Sequence, residues 1–317
     1  MERKSMRLRS LRSEERRAQA EEKQLAAMMK ALKAIRSVSS SESMAPEDLA
    51  RQRAGQEILG RLAAPMAGLQ WEPFDLDGMK AAWVRPDWGH DPNKIILYCH
   101  GGGYTSGNLG YSRPLATKLA HASGWKTLCF EDRLAPENPY PAAVNDAVRV
   151  WDYLMYQGYG ARDIVVAGDS AGGNLALVLL HRLKAEGRQL PRKLVLFSPW
   201  TDMTASGESY TQRADLDPSI TMEYIQAVRA AYAGDADLRD PMLSPLFGDF
   251  TGFPPTLIQV GSHELLFSDA QQLRDRMRAG GALCRMEEWE ELWHVFQLMP
   301  IKKADEAMKR VGDFLLH

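Results

Sequence analysis

The sequence predicts an α/β protein with a mainly parallel central sheet flanked by helices, and three observations carry that reading. Short β-branched or apolar runs alternate with helical patterns from about residue 95 onward, the rhythm of strands joined by crossover helices. One such run, ending Val165-Val166-Ala167, leads directly into Gly168-Asp169-Ser170-Ala171-Gly172 and a Leu/Ala-rich helical pattern over Asn174–Leu183. Another, Lys94–Cys99, leads into His100-Gly101-Gly102-Gly103. Each strand therefore ends on a glycine-rich turn at the carboxyl edge of the predicted sheet, where open α/β sheets bind ligands.

Taken in order, residues 1 to about 62 read as helical, with Leu25, Met28, Met29, Leu32 and Ile35 on one stripe. Ser37-Val38-Ser39-Ser40-Ser41 breaks that helix, and Pro46 opens another that runs through Leu62. Leu69–Asp75 and Met79–Arg85 alternate as a hairpin about Asp77-Gly78. Ile95–Cys99, a helix from Ser112, Thr127–Phe130, a helix from Ala142, Ile164–Ala167, the helix after Ser170 and Leu194–Phe197 follow. Residues 202 to 245 interrupt the alternation with one helix near Thr221–Tyr232. It resumes with strands at Thr256–Val260 and Arg285–Trp289, then a terminal helix. Residues 1–62 and 202–245 are thus expected to form a helical cap on a catalytic domain spanning 63–317.

G-x-S-x-G between a strand and a helix holds a serine hydroxyl out on a strained turn, and this spacing makes Ser170 the candidate nucleophile. Glycines suit the turn because strand and helix backbones approach too closely for a Cβ. A helix N-terminus behind the serine favours negative charge developing there. The His-Gly-Gly-Gly loop supplies bare backbone N–H groups for an oxyanion, so Gly101 and Gly102 are expected donors, with Ala171. His100 reads as a structural residue of that loop. No Gly-Lys-Ser/Thr follows, which argues against a phosphate cradle.

A serine nucleophile needs a base, and in this arrangement the order along the chain is Ser, then Asp or Glu, then His. Of the seven histidines, His90 falls in a turn, His121 and His181 in helical patterns, and His317 at the last position. His263 sits in Gly261-Ser262-His263-Glu264 after a strand, and His294 follows the last strand. Only His294 leaves room for an acid between itself and Ser170 that also follows a strand, so it is the candidate base. Glu264 is the candidate acid and Asp269 its alternative.

These motifs resemble the hormone-sensitive-lipase (bacterial esterase) family of α/β-hydrolases over roughly residues 65 to 317. The resemblance is carried by His100-Gly101-Gly102-Gly103, Arg133-Leu134-Ala135-Pro136-Glu137 with Tyr140-Pro141-Ala142-Ala143, Gly168–Asn174, and Ser198-Pro199-Trp200-Thr201-Asp202. Two stretches depart from the family's pattern. Its usual Asp-Tyr-Arg is Glu131-Asp132-Arg133 here, and its Asp-Pro-Leu at the acid is Glu264-Leu265-Leu266. The resemblance implies hydrolysis of short-chain acyl esters through an acyl-enzyme on Ser170, with no metal or organic cofactor. A serine peptidase or lactonase on the same fold, and a non-catalytic small-ligand receptor, stay open as alternatives. No propeller-like repeat is present to gate peptides, and a receptor of this kind typically lacks a triad member.

Bulk properties agree with this class. The 317 residues are 45% hydrophobic, ample for a core, and the formal charge of −2 gives no reason to expect nucleic acid or an acidic membrane as partner. Three widely spaced cysteines, Cys99, Cys129 and Cys284, fall in strand-like segments and read as buried apolar groups, not disulfides or metal ligands. The Arg- and Glu-rich N-terminus has no apolar core of a secretory signal, and no window reaches about 18 apolar residues. The expectation is a cytoplasmic enzyme without membrane insertion. A second copy of the chain is one candidate cover for the Leu25–Ile35 stripe, which makes a homodimer the candidate assembly.

Overall fold

A computed structural model describes residues 19–34, 43–62, 66–88 and 91–317. The chain divides into two compact units, residues 1–40 and 41–317. In the first unit, helix α1 spans residues 19–34, with Leu25, Met28, Met29 and Leu32 among its less exposed positions. Ile35, the serine-rich break, residues 1–18 of the Arg- and Glu-rich N-terminus, and His90 lie outside the described residues.

The second unit opens with α2 (Pro46–Leu62), so this predicted cap helix groups with the catalytic domain. Strands β1 (Leu69–Leu76) and β2 (Met79–Pro86) pair antiparallel with Leu76 opposite Met79. Asp77 and Gly78 form the two-residue turn, both at positive φ, 46° and 86°, as a type I′ hairpin requires. Strands β3 (Ile95–Cys99), β4 (Lys126–Phe130), β5 (Ile164–Asp169), β6 (Lys193–Phe197), β7 (Thr256–Gly261) and β8 (Cys284–Trp289) complete an eight-stranded sheet. Its order is β1-β2-β4-β3-β5-β6-β7-β8, parallel from β4 to β8.

Both sheet faces are buried, which is why these strands read as continuous apolar runs. Ile95, Leu97 and Val166 face a core shared with α4 (Ala142–Tyr156) and α5 (Ala171–Ala185). Ile96, Tyr98 and Val165 face the opposite core, shared with α3 (Leu109–Ser123) and the terminal helix, α9 (Lys302–Leu316). The segment between β6 and β7 carries α6 (Ser209–Gln212) and α7 (Met222–Ala233), and α8 (Phe267–Ala279) precedes β8.

Helix starts differ from expectation for local reasons. α3 begins at Leu109 because Asn108 caps it, its side chain accepting from Tyr111 N at 2.9 Å. α5 begins at Ala171, directly after the serine, with Gly172 and Gly173 inside the helix. A Cβ on Gly172 would strike the carbonyls of Cys99 and His100, so this glycine permits the helix to pack on β3. All three cysteines are buried and free, and no described helix is long and apolar enough to cross a membrane.

Candidate active site

From β3 the chain moves to β4 on one side, then crosses to β5 on the other, so the switch point lies between β3 and β5. Ligand crevices of open sheets form at such points. The glycine loop leaves β3 there and Ser170 leaves β5. Ser170 holds φ 54° and ψ −121°, a strained conformation for a side-chain-bearing residue, fixed by Ser170 N donating to Phe197 O at 2.9 Å and by α5 behind it.

His294 follows β8, and its Nε2 lies 2.9 Å from Ser170 Oγ. Its Nδ1 lies 3.1 Å from Glu264 Oε2, and the carboxylate is wholly buried after β7. Burial works against charging His294, yet Glu264, followed by Asp217 and Asp169, raises its pKa above the ordinary imidazole value. Glu264 Oε1 accepts from Gly261 N at 2.5 Å and from Ser198 Oγ at 2.7 Å. Ser198 Oγ in turn accepts from Val295 N at 3.0 Å, tying the acid turn to the histidine loop. Sequence reasoning assigned Ser198 no such role, although it opens the Ser-Pro-Trp-Thr-Asp motif and sits at φ 48°.

Asp269 does not reach His294. Its Oδ2 accepts from the amides of Thr201 and Asp202 at 2.7 and 2.9 Å, and burial pushes its pKa up to about 7. His263 also lies apart from Ser170, its amide donating to Leu292 O at 3.0 Å.

The glycine loop requires one correction. Gly101 N donates to Asp169 Oδ1 at 3.0 Å, so it is not free for an oxyanion as expected. Asp169 is buried, which disfavours its charge, and it gathers Tyr98 OH and Tyr111 OH, each at 2.5 Å, as well as this amide. Gly102 and Gly103 turn at φ 114° and 62°, and among the described residues their amides and that of Ala171 meet no protein acceptor. Tyr104 OH pins the loop's far side to Asn174 Oδ1 at 2.7 Å.

His100 is the loop's anchor. Its Nδ1 lies 2.8 Å from Gly101 O and its Nε2 3.0 Å from Asp132 Oδ1, so each ring nitrogen faces an acceptor, as a charged imidazolium requires. Burial opposes that charge, but Asp132 carries the ring's pKa up to about 9. Asp132 stands where the resembled pattern has tyrosine, and Glu131 Oε1 accepts from Leu109 N at 2.9 Å. Because the folded value lies above that of a free imidazole, the pair's stabilisation is full below about pH 6.5 and is lost as pH rises through about 9. Its loss is expected to cost about 3 kcal/mol. Thermal unfolding followed across that window should show the decline in the wild type and not in Asp132→Asn; parallel curves would contradict it.

Residues of α2 and α7 bear on this loop. Arg53 of α2 donates to Thr105 O at 2.9 Å and Ala135 O at 3.0 Å, and Gln56 accepts from Gly107 N at 2.8 Å. Tyr232 of α7 stacks on Tyr104 with ring centroids 3.8 Å apart. A Cβ on Gly103 would meet Tyr224 and Val228 of the same helix. Among the described residues no cluster of three or more His, Cys, Asp or Glu side chains is arranged to hold a metal ion.

A serine on a strand–helix turn, hydrogen-bonded to a histidine that is backed by a carboxylate, on this sheet, defines an α/β-hydrolase. Residues 96–298 match the family model of the alpha/beta hydrolase fold. The chain belongs to that family and, within it, to the bacterial hormone-sensitive-lipase esterases. It is 37% identical to an acetyl-hydrolase of Streptomyces hygroscopicus over 272 residues, 85% of this chain and 89% of that one. It is 32% identical to an esterase of Acinetobacter venetianus over 286 residues, 89% of this chain and 93% of that one. Among solved structures it is similar to a hormone-sensitive lipase from a metagenome library (TM-score 0.86, 33% identity, 92% and 97% of the two chains). It is also similar to the esterase EstE5 soaked with p-nitrophenyl butyrate (TM-score 0.82, 33% identity, 92% and 97%).

Proposed function

We propose that the chain is a serine carboxylesterase that cleaves short-chain acyl esters in two acyl-transfer steps. The 2.9 Å approach of His294 Nε2 to Ser170 Oγ carries the reading. Ser170 Oγ attacks the ester carbonyl while its proton passes to His294 Nε2. Glu264 accepts the Nδ1–H, which holds the tautomer and stabilises the imidazolium. The amides of Gly102, Gly103 and Ala171 receive the oxyanion. The C–O bond to the alcohol breaks as His294 returns the proton to that oxygen. Water then attacks the acyl-enzyme, gives a proton to His294, and Ser170 leaves with it, releasing the acid.

Substrate size is read from the cover. α2 and the 202–245 segment bear on the oxyanion loop through Arg53, Gln56, Tyr224 and Tyr232, and this cover is the ground for expecting a small acyl group. The acetyl-hydrolase and the butyrate-soaked EstE5 are relatives named with short acyl groups. Across a series of p-nitrophenyl esters, rates are expected to peak between about two and six acyl carbons and to fall steeply beyond about ten. A peptide p-nitroanilide should be left intact. A maximum at palmitoyl chains with activation at an oil–water interface would overturn the size assignment, and faster anilide cleavage would favour a peptidase.

A further inference from the structure

The acid turn departs from the family's Asp-Pro-Leu not only in its acid but in its second residue, Leu265. A proline there would fix φ and bring no N–H; leucine frees φ and brings a donor into a wholly buried turn. That donor needs a partner, because a buried unpaired amide is destabilising. Leu265 N donates to Asp217 Oδ2 at 3.0 Å. Asp217 comes from the segment between α6 and α7 and is itself wholly buried. Its other oxygen accepts from Ser219 N at 2.8 Å and Ile220 N at 3.2 Å, which leaves the carboxylate little freedom.

The grip extends to both sides of Glu264. Arg213 donates to Ser262 O and lies over the Phe267 ring at 3.6 Å from its centre. Ser209 Oγ donates to Leu265 O and accepts from Ser268 N at 2.9 Å, while Ser209 N donates to Ser268 Oγ at 2.9 Å. Residues 209–217 thus hold the turn 262–268 from the cap side.

We infer that Asp217 is a positioning residue: it takes over from the family's proline the fixing of Glu264-Leu265-Leu266 and so aims the Glu264 carboxylate at His294. This rests on reading Glu264 as the triad acid. A glutamate has one more rotatable bond than an aspartate, so its oxygens hold a catalytic position only if its backbone is held. The Asp217 carboxylate also acts on the histidine directly. The acids that influence His294 are Glu264 after β7, Asp217 from the cap segment and Asp169 at the end of β5. All three favour the imidazolium, the state formed when Ser170 gives up its proton. Burial raises Asp217 to a pKa of about 6, against the lowering effect of His294, so it is mainly a carboxylate at neutral pH.

Asp217→Ala, Asp217→Asn and Glu264→Gln in the full chain, assayed on p-nitrophenyl butyrate across pH, test the inference. Turnover is expressed per site titrated with a serine-directed organophosphorus reagent. Asp217→Ala is expected to lower kcat by about 10²-fold, the scale of an ångström's misplacement, with KM changed much less. The acid limb of kcat/KM should move to lower pH, because a charge favouring the imidazolium is gone. Asp217→Asn keeps the shape and one acceptor oxygen, so it should lose less turnover and move the limb in the same direction. It also gives a result if the alanine variant folds poorly. Wild-type kcat and an unmoved limb in both Asp217 variants, beside a damaged Glu264→Gln, would overturn the inference and leave the triad standing. A loss that follows only the folded fraction, with the pH limb unmoved, would overturn it too. Wild-type turnover in Glu264→Gln would remove the triad reading itself and the inference with it.

Discussion

Ser170→Ala is expected to lower kcat on a short-chain p-nitrophenyl ester by about six orders of magnitude, the scale on which a triad nucleophile is missed. The variant keeps the Cβ that the turn already accommodates at φ 54°, and loses only an oxygen whose partner is His294 Nε2. Its thermal unfolding should therefore stay close to that of the wild type, because the Cβ and the strained backbone of the turn are unchanged and only one hydrogen bond is lost. Intact-mass analysis after treatment with an organophosphorus reagent gives a second readout. The wild type should take up one equivalent on Ser170, and the variant none. Two other serines near the crevice have hydroxyls already engaged: Ser198 Oγ donates to Glu264 and Ser106 Oγ to Gly102 O at 3.0 Å. Labelling of either in place of Ser170 would overturn the nucleophile assignment.

Much of this architecture is legible in the sequence because its strands are buried on both faces. A run such as Ile95–Cys99 needs no long-range information to be seen as a strand. The strand–turn–helix context of Ser170 is equally local. The identity of the free amides is not. Three consecutive glycines look alike in the sequence, and Gly101 is withdrawn only because Asp169, 68 residues away, takes its N–H. Choosing between Glu264 and Asp269 has the same difficulty, since both follow β7, which ends at Gly261, within eight residues. Only the fold brings Thr201 and Asp202 against the Asp269 carboxylate and leaves Glu264 facing His294. Asp132 shows how a departure from pattern can be read late: its charge in place of a tyrosine makes sense once His100 is beside it.

Glu264→Gln is expected to lower kcat by about 10⁴-fold, His294→Ala by about 10⁶-fold, and Asp269→Asn by less than about tenfold. The alanine at 294 leaves Ser170 with no proton acceptor at all. The glutamine fails more subtly. Its carbonyl oxygen is claimed by Gly261 N and Ser198 Oγ, both donors to Glu264 Oε1, so its amide group must face His294 Nδ1. An N–H there forces Nδ1 to act as acceptor and puts the ring proton on Nε2, the atom that should receive the proton of Ser170. The histidine is then held in the unreactive tautomer with its position intact. Losing the carboxylate charge also lowers the His294 pKa, so the remaining activity should persist to lower pH than in the wild type. Asp269→Asn meets a different situation. The amides of Thr201 and Asp202 both donate to one oxygen, which the asparagine can keep as its carbonyl. Burial already disfavours the Asp269 charge, with a pKa pushed up to about 7, so a neutral replacement removes little. Steady-state kinetics on the three folded variants, ranked by kcat, decide the matter. If Asp269→Asn proved the more damaging of the two acid substitutions, the acid would have to be sought through Asp269, and the 3.1 Å approach of Glu264 to His294 would need another explanation.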